Sequence, residues 1–130
     1  MERYKIAIIG AGASGLIAAH KASRVMKDKG MQSSVCILEG NVKAGKKLLA
    51  TGNGRCNLSN RNVSPKFYHG DECTYILNKV KCSDIIREFN NIGLACTEDS
   101  EGRIYPYNYQ ASTVLKMLML SCEESGVTIK

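Results

Sequence analysis

The chain opens on a short apolar run, Lys5 to Ile9 (KIAII), whose hydrophobic residues are adjacent rather than alternating. Such a run predicts a strand buried on both faces of a parallel sheet. From about Ser14 to Lys29 the spacing becomes helical, with Leu16, Ala19, Ala22 and Met26 on one face and Gly30 as the stop. Val35 to Leu38 (VCIL) is a second continuous apolar run, closed by Glu39 and Gly40. Together they make one complete βαβ unit, whose crossover should be right-handed.

From Asn41 to Ser64 the apolar pattern almost vanishes into Gly, Asn, Lys and Arg, with one patch at Leu48 to Ala50. An irregular stretch this long in a compact domain is either functional or disordered. Glu72 to Val80 carries a weak helical pattern. Ser83 and Asp84 open a stronger one, with Ile85, Ile86, Phe89 and Ile92 at helical spacing and Gly93 at its end. Leu94 to Tyr105 reads as a hairpin turning around Ser100 to Gly102. Asn108 is placed to cap a last helix whose stripe is Ala111, Val114, Leu115, Leu118 and Cys122. Gly126 ends that helix, and Val127 to Lys130 begins another strand.

The expected fold is therefore α/β, a Rossmann-like βαβ with a parallel sheet. Because the sequence stops as its last strand begins, residues 1–130 are expected to form an incomplete N-terminal portion of a larger dinucleotide-binding fold. The remaining strands and a substrate domain would then lie outside it. The first strand should be central in the complete sheet and present an open edge here.

A chain of 130 residues can bury a core. It has no apolar run long enough to span a bilayer and no signal-peptide layout, so a cytoplasmic protein without membrane partners is expected. The six cysteines form no CxxC pair and no Cys/His cluster at zinc spacing, so reduced thiols and no metal site are expected. Charge is more informative once located. The net charge is +6, and Gly40 to Gly70 hold six basic residues (Lys43, Lys46, Lys47, Arg55, Arg61, Lys66) with no acidic one. Elsewhere the chain carries twelve basic and twelve acidic residues, so the whole excess belongs to one loop region. Few aromatics interleave with these charges and no nucleic-acid motif is present, which favours a small phosphate ligand over nucleic acid.

Gly10-Ala-Gly12-Ala-Ser-Gly15 fits G-x-G-x-x-G between a strand and a helix. The first glycine permits a tight turn, the second removes a side chain from the path of a pyrophosphate, and the third lets helix and strand approach. The N–H groups of Ala13, Ser14 and Gly15 then point outward at the positive end of the helix dipole. Glu39 ends the second strand 24 residues after Gly15, where a carboxylate can accept both hydroxyls of an adenosine ribose and repel a 2′-phosphate. The alternative is a glycine turn that merely packs a helix on a sheet. The turn alone does not separate FAD from NAD, since both present ADP.

The string from Gly45 to Asn60, GKKLLATGNGRCNLSN, resembles the signature loop of the BaiN-like (aminoacetone-oxidase-like) FAD-binding flavoproteins. Gly45 lies where many FAD proteins of the glutathione-reductase type carry a glycine pair, although Lys46 replaces the second glycine. GRIYP, from Gly102 to Pro106, with Gln110, Ala111, Ser112, Val114 and Leu115 after it, resembles the family's GR-aromatic-P element and following helix. The closing GVTIK resembles its next strand. The likeness is weak only over about Arg61 to Asn91 and corresponds to about the first third of the family's length.

The resemblance implies an FAD-dependent oxidoreductase, with a reduced nicotinamide nucleotide, NAD(P)H, or an organic substrate as electron donor in the full-length family. It implies a cofactor site built from Gly10, Gly12, Ala13, Ser14, Gly15, Glu39, Gly40, Lys46, Lys47, Gly52, Gly54, Arg55, Cys56 and Asn57. The lysines would bring positive charge to the diphosphate or adenosine, the glycines would let backbone amides approach, and Arg55 and Asn57 would donate directionally. Cys56 lacks a partner cysteine, so packing or cofactor contact is expected rather than catalysis. No residue identifies the substrate or a catalytic group. A non-catalytic fragment with weak FAD binding and an NAD-binding module remain as alternatives. His20 and His69 are expected to be surface or satisfied histidines, and Tyr105, Tyr107 and Tyr109 to pack or face solvent.

Overall fold

The computed structural model of the chain describes residues 2–70 and 72–130. In chain order it forms β1 (Ile6–Ile9), α1 (Ala13–Asp28), β2 (Val35–Leu38), a 3-10 segment (Leu48–Gly54), β3 (Ser59–Asn60), a 3-10 turn (Pro65–Phe67), α2 (Glu72–Lys79), α3 (Cys82–Asn91), β4 (Cys96–Glu98), β5 (Arg103–Pro106), α4 (Ala111–Ser125) and β6 (Thr128–Ile129). The fold is a Rossmann-like α/β domain. Its parallel sheet has the order β1-β2-β6, with Ile6 opposite Val35, Ile9 opposite Leu38 and Cys36 opposite Thr128. A second, antiparallel sheet has the order β3-β5-β4.

The core lies where α1 packs on α4 and on β2. Leu16, Ala19 and Met26 of α1 meet Val35 and Ile37 of β2 and Val114, Leu118 and Cys122 of α4. These are the residues the helical spacings place inward. Each large aliphatic among them contributes about 1.5–3 kcal/mol by leaving water.

β1 lies at the open edge expected of it, but it is less buried than the sequence reading implies. Its run does form a strand, but Ile6 is 36% exposed and Ile9 79%, whereas Val35, Cys36 and Ile37 of β2 are buried. A continuous apolar run cannot reveal which strand will be central. Here β2 has neighbours on both sides, and β1 pairs only with β2 among the described residues.

Three helix ends refine the expected caps. α1 begins at Ala13 with Gly12 as its N-cap, and it closes with the Gly30 and Met31 N–H groups donating to the Lys27 and Met26 carbonyls. α3 begins at Cys82, not at Ser83 or Asp84. Lys81 is its N-cap, and Asp84, in its first turn, accepts the Lys81 N–H at 2.8 Å. Asn108 is not the N-cap of α4 either. Gln110 is, and Asn108 Oδ1 accepts the Gln110 N–H at 3.2 Å just before the helix. The 41–64 segment is less irregular than its composition implies, because Ser59 and Asn60 pair with Ile104 and Arg103 as β3. Two residues are too few to show a period.

Candidate functional site

Each glycine of the first turn has a distinct geometric reason. Gly10 has φ +89°, a conformation that a side chain disfavours, and its N–H donates to the Leu38 carbonyl at 2.8 Å. A Cβ on Gly15 would overlap the Gly10 carbonyl oxygen, so α1 can approach the turn only without one. A Cβ on Gly12 would meet nothing within 4 Å. Protein packing therefore does not demand glycine there, and the space above the turn is open. α1 has no side-chain cap and no acidic residue in its first turn, so no side chain of its own satisfies its N-terminal N–H groups.

Glu39 at the end of β2 is tied directly to this turn. Its Oε2 accepts the Ala11 N–H at 2.7 Å, and its Oε1 accepts the Asn41 N–H at 2.8 Å and Asn41 Nδ2 at 2.6 Å. These donors, the Asn41 backbone first, hold the carboxyl below the ordinary carboxylate range. Oε1 has both lone pairs occupied by Asn41, so Oε2 alone keeps one for a hydroxyl donor. Asn41 escaped the sequence reading, although an Asn two residues after a carboxylate is a plausible local partner by reach alone.

The second loop faces the same space. Gly12, Ala13 and Ser14 line one cleft of about 530 Å³ together with Lys47, Leu48, Thr51, Cys56 and Asn57. Its inner wall is apolar, with Ile17, Phe89 and Val114. Lys47 is exposed at this cleft, whereas Lys46, also exposed, is not on its wall. Gly10, Gly15 and Glu39 are not on its wall, and Glu39 shapes the turn through the Ala11 N–H. Thr51, not singled out from the sequence, braces the 3-10 segment by donating its hydroxyl to the Leu48 carbonyl at 2.6 Å.

The loop's backbone is left-handed at Gly52 (φ +56°), Asn53 (+54°) and Cys56 (+57°). A Cβ on Gly52 would come within 2.9 Å of the Asn57 nitrogen, so this turn is closed as well as left-handed. Cys56 is buried. Arg55 folds onto its own loop, with Nε donating to the Gly52 carbonyl at 3.3 Å and the guanidinium 5.3 Å from the centre of the Tyr105 ring. Tyr105 is buried, whereas Tyr107 and Tyr109 are exposed.

Other sequence candidates lie apart from the cleft. His20 is half-buried with Nδ1 3.0 Å from the Ser121 carbonyl, a satisfied histidine that donates from Nδ1. His69 is exposed. Burial pushes the Cys122 thiol up to about 11, and burial also raises Cys96. Among the described residues no helix is long and apolar enough to cross a membrane, and no group of three His, Cys, Asp or Glu side chains is placed to hold a metal ion.

With this geometry in view, comparison with known proteins gives a consistent answer. Residues 4–130 match the family described as HI0933-like protein Rossmann domain, and the chain belongs to that family. It is 40% identical over 128 residues to the 3-dehydro-bile acid delta(4,6)-reductase of Clostridium scindens, covering 96% of this chain and 30% of that protein. It is 31% identical over 133 residues to the ribosomal RNA dihydrouridine synthase of Escherichia coli, covering 100% of this chain and 32% of that one. The crystal structure of Thermovibrio ammonificans THI4 superposes with a TM-score of 0.61 at 16% identity, over 98% of this chain and 38% of that one, a likeness of fold. The chain thus spans about 30% of the length of the curated relatives it matches. The resemblance to BaiN-like, aminoacetone-oxidase-like FAD-dependent oxidoreductases holds, and the chain is a dinucleotide-binding domain of the flavoprotein kind.

Proposed function

We propose that residues 1–130 are the FAD-binding part of a flavin-dependent oxidoreductase. The observation that carries this reading is the shared cleft. One wall is the N-terminal turn of α1, with room above Gly12 that no protein atom fills, and the other is the Lys47–Asn57 loop. In this reading the N–H groups of Ala13, Ser14 and Gly15 bind the diphosphate, while Gly10, Gly12 and Gly15 let the backbone approach it. Glu39 accepts a hydroxyl of the adenosine ribose at Oε2, and Gly40 leaves its approach open. Lys47 offsets the phosphate charge from the cleft wall, and Lys46 beside it adds little. Gly52 and Gly54 bring loop amides close to the cofactor, Cys56 fills the space beneath, and Arg55 and Asn57 orient the loop and donate to the ligand.

When bound, the flavin supplies the electron chemistry, and the chain's residues bind and orient it. We propose that the whole-protein activity is a reduction, as the name of the Clostridium scindens relative states for that protein. A reduced nicotinamide nucleotide is the electron donor in this reading, and substrate contacts come from the part of the architecture that the longer relatives possess. The residues of this chain favour no single substrate.

The test is a visible spectrum of the purified 130-residue chain, before and after incubation with FAD and gel filtration. Retained flavin absorption with a defined stoichiometry supports the proposal. A protein that stays colourless overturns it for this chain, and if such a protein binds NADH instead, the domain is an NAD module.

A further inference from the structure

The non-glycine residues with left-handed backbone among the described residues are Asn53 and Cys56 in the 52–57 loop and Tyr109 just after β5, and the loop and the segment after β5 meet in one cluster. Its centre is Tyr105, 3% exposed in β5. The Arg55 guanidinium lies over one side of the ring, and the Tyr109 ring, 5.3 Å away and tilted by 40°, packs against it. Tyr105 Cε1 also lies 3.7 Å from where a Gly52 Cβ would be, so the ring abuts the tightest point of the loop. The backbone reinforces this seat, because the Leu58 N–H donates to the Ile104 carbonyl at 2.7 Å and β3 pairs with β5. Left-handed conformations at non-glycine residues cost free energy and persist only where their surroundings over-determine them. Here the surroundings are two aromatic rings contributed by a segment some fifty residues further along the chain.

We propose that Tyr105, seated by Tyr109 and clasped by Arg55, is a positioning residue for the 52–57 loop. The clamp holds the loop in its left-handed shape before the dinucleotide arrives, so binding does not have to order it. This inference rests on the reading of the cleft as an FAD site, and it extends that site to β5 and the turn after it. Tyr105 touches the loop and lines no part of the cleft, so it acts through Gly52 and Arg55.

The experiment has two independent readouts on the full chain. In ligand-free protein, amide hydrogen exchange of residues 52–57 is expected to speed up about tenfold in Tyr105→Leu and in Tyr109→Leu, with α1 and β2 unchanged. FAD titration is expected to show a Kd raised about tenfold in the same variants, the equivalent of one aromatic clasp. Tyr105→Phe, which keeps the ring, should restore both. Arg55→Met removes the clasp from the exposed side and so probes the cluster even if Tyr105→Leu does not fold. Loop exchange that stays at the wild-type rate in Tyr109→Leu and Arg55→Met overturns the clamp, as does a Tyr105→Phe chain no better than Tyr105→Leu. A wild-type chain that fails to bind FAD overturns the cofactor reading instead, and the exchange measurement still decides the clamp.

Discussion

The carboxylate of Glu39 accepts the backbone N–H of Ala11 at 2.7 Å, joining the end of β2 to the centre of the glycine turn across 28 residues. One side chain thus shapes the turn and, in the proposed reading, also accepts a ribose hydroxyl. Glu39→Ala should raise the Kd for FAD about tenfold or more, since hydrogen bonds to an ionised acceptor are among the stronger ones. Flavin fluorescence titration measures this. A Kd within twofold of wild type would remove Glu39 from the site.

The same contacts fix a pH response. The Asn41 and Ala11 donors lower the Glu39 pKa from 4.5, so the ionised acceptor is favoured in the folded chain. Its contribution is fully present above 4.5 and is lost only as pH falls through the lowered value. FAD retained on the chain should therefore survive titration to pH 4.5. Half-loss centred at 4.5 or above, absent from Glu39→Gln, would contradict this.

Gly12 and Gly15 should separate binding from stability. At Gly12 an added methyl meets open space, so Gly12→Ala should change the unfolding free energy by no more than about 1 kcal/mol while raising the Kd for FAD about tenfold. At Gly15 the methyl overlaps the Gly10 carbonyl, and Gly15→Ala should destabilise the fold by about 1–3 kcal/mol despite the helix-favouring change. Denaturant melts and FAD titrations of the two variants give the comparison. Equal effects on stability would refute the separate roles.

Lys47 is on the cleft wall and Lys46 is not. Lys47→Met should raise the Kd for FAD roughly three- to tenfold and flatten its salt dependence, whereas Lys46→Met should leave both within about twofold. Titrations at two ionic strengths decide it, and a larger effect at Lys46 would reverse the assignment.

Cys122 gives a stability prediction unconnected with the ligand. Burial raises its pKa from 9.0 to about 11, so its contribution is intact below 9.0 and disappears as pH rises through about 11. Thermal midpoints should fall over that window, and fall less steeply in Cys122→Ala. Identical alkaline slopes would show that Cys122 is not the group responsible.

Much of this was legible in the sequence because it rests on local periodicity or steric need. Leu16, Ala19 and Met26 on one face, Gly30 after α1 and Gly126 after α4 follow from helical spacing and helix termination. The three glycines of the turn follow from backbone geometry. Contacts across long sequence separations were not legible. Nothing in KIAII says that Ile9 is exposed at an edge, and nothing in SN says that Ser59 will pair with Ile104. Nor does the sequence say that the Arg55 guanidinium packs on Tyr105, a ring fifty positions later.

The position of β6 also bears on how this domain folds. β1 and β2 can pair as soon as the first forty residues are free, but β6 reaches β2 only after α4 has packed on α1. The same wait applies to Ser23 of α1, whose hydroxyl is satisfied by the Ser125 carbonyl 102 residues away. Contacts of such separation form late, because a long loop must close before they stabilise anything. During synthesis, then, α1 would carry an uncovered apolar face until α4 emerges. That interval exposes the face to association with other chains.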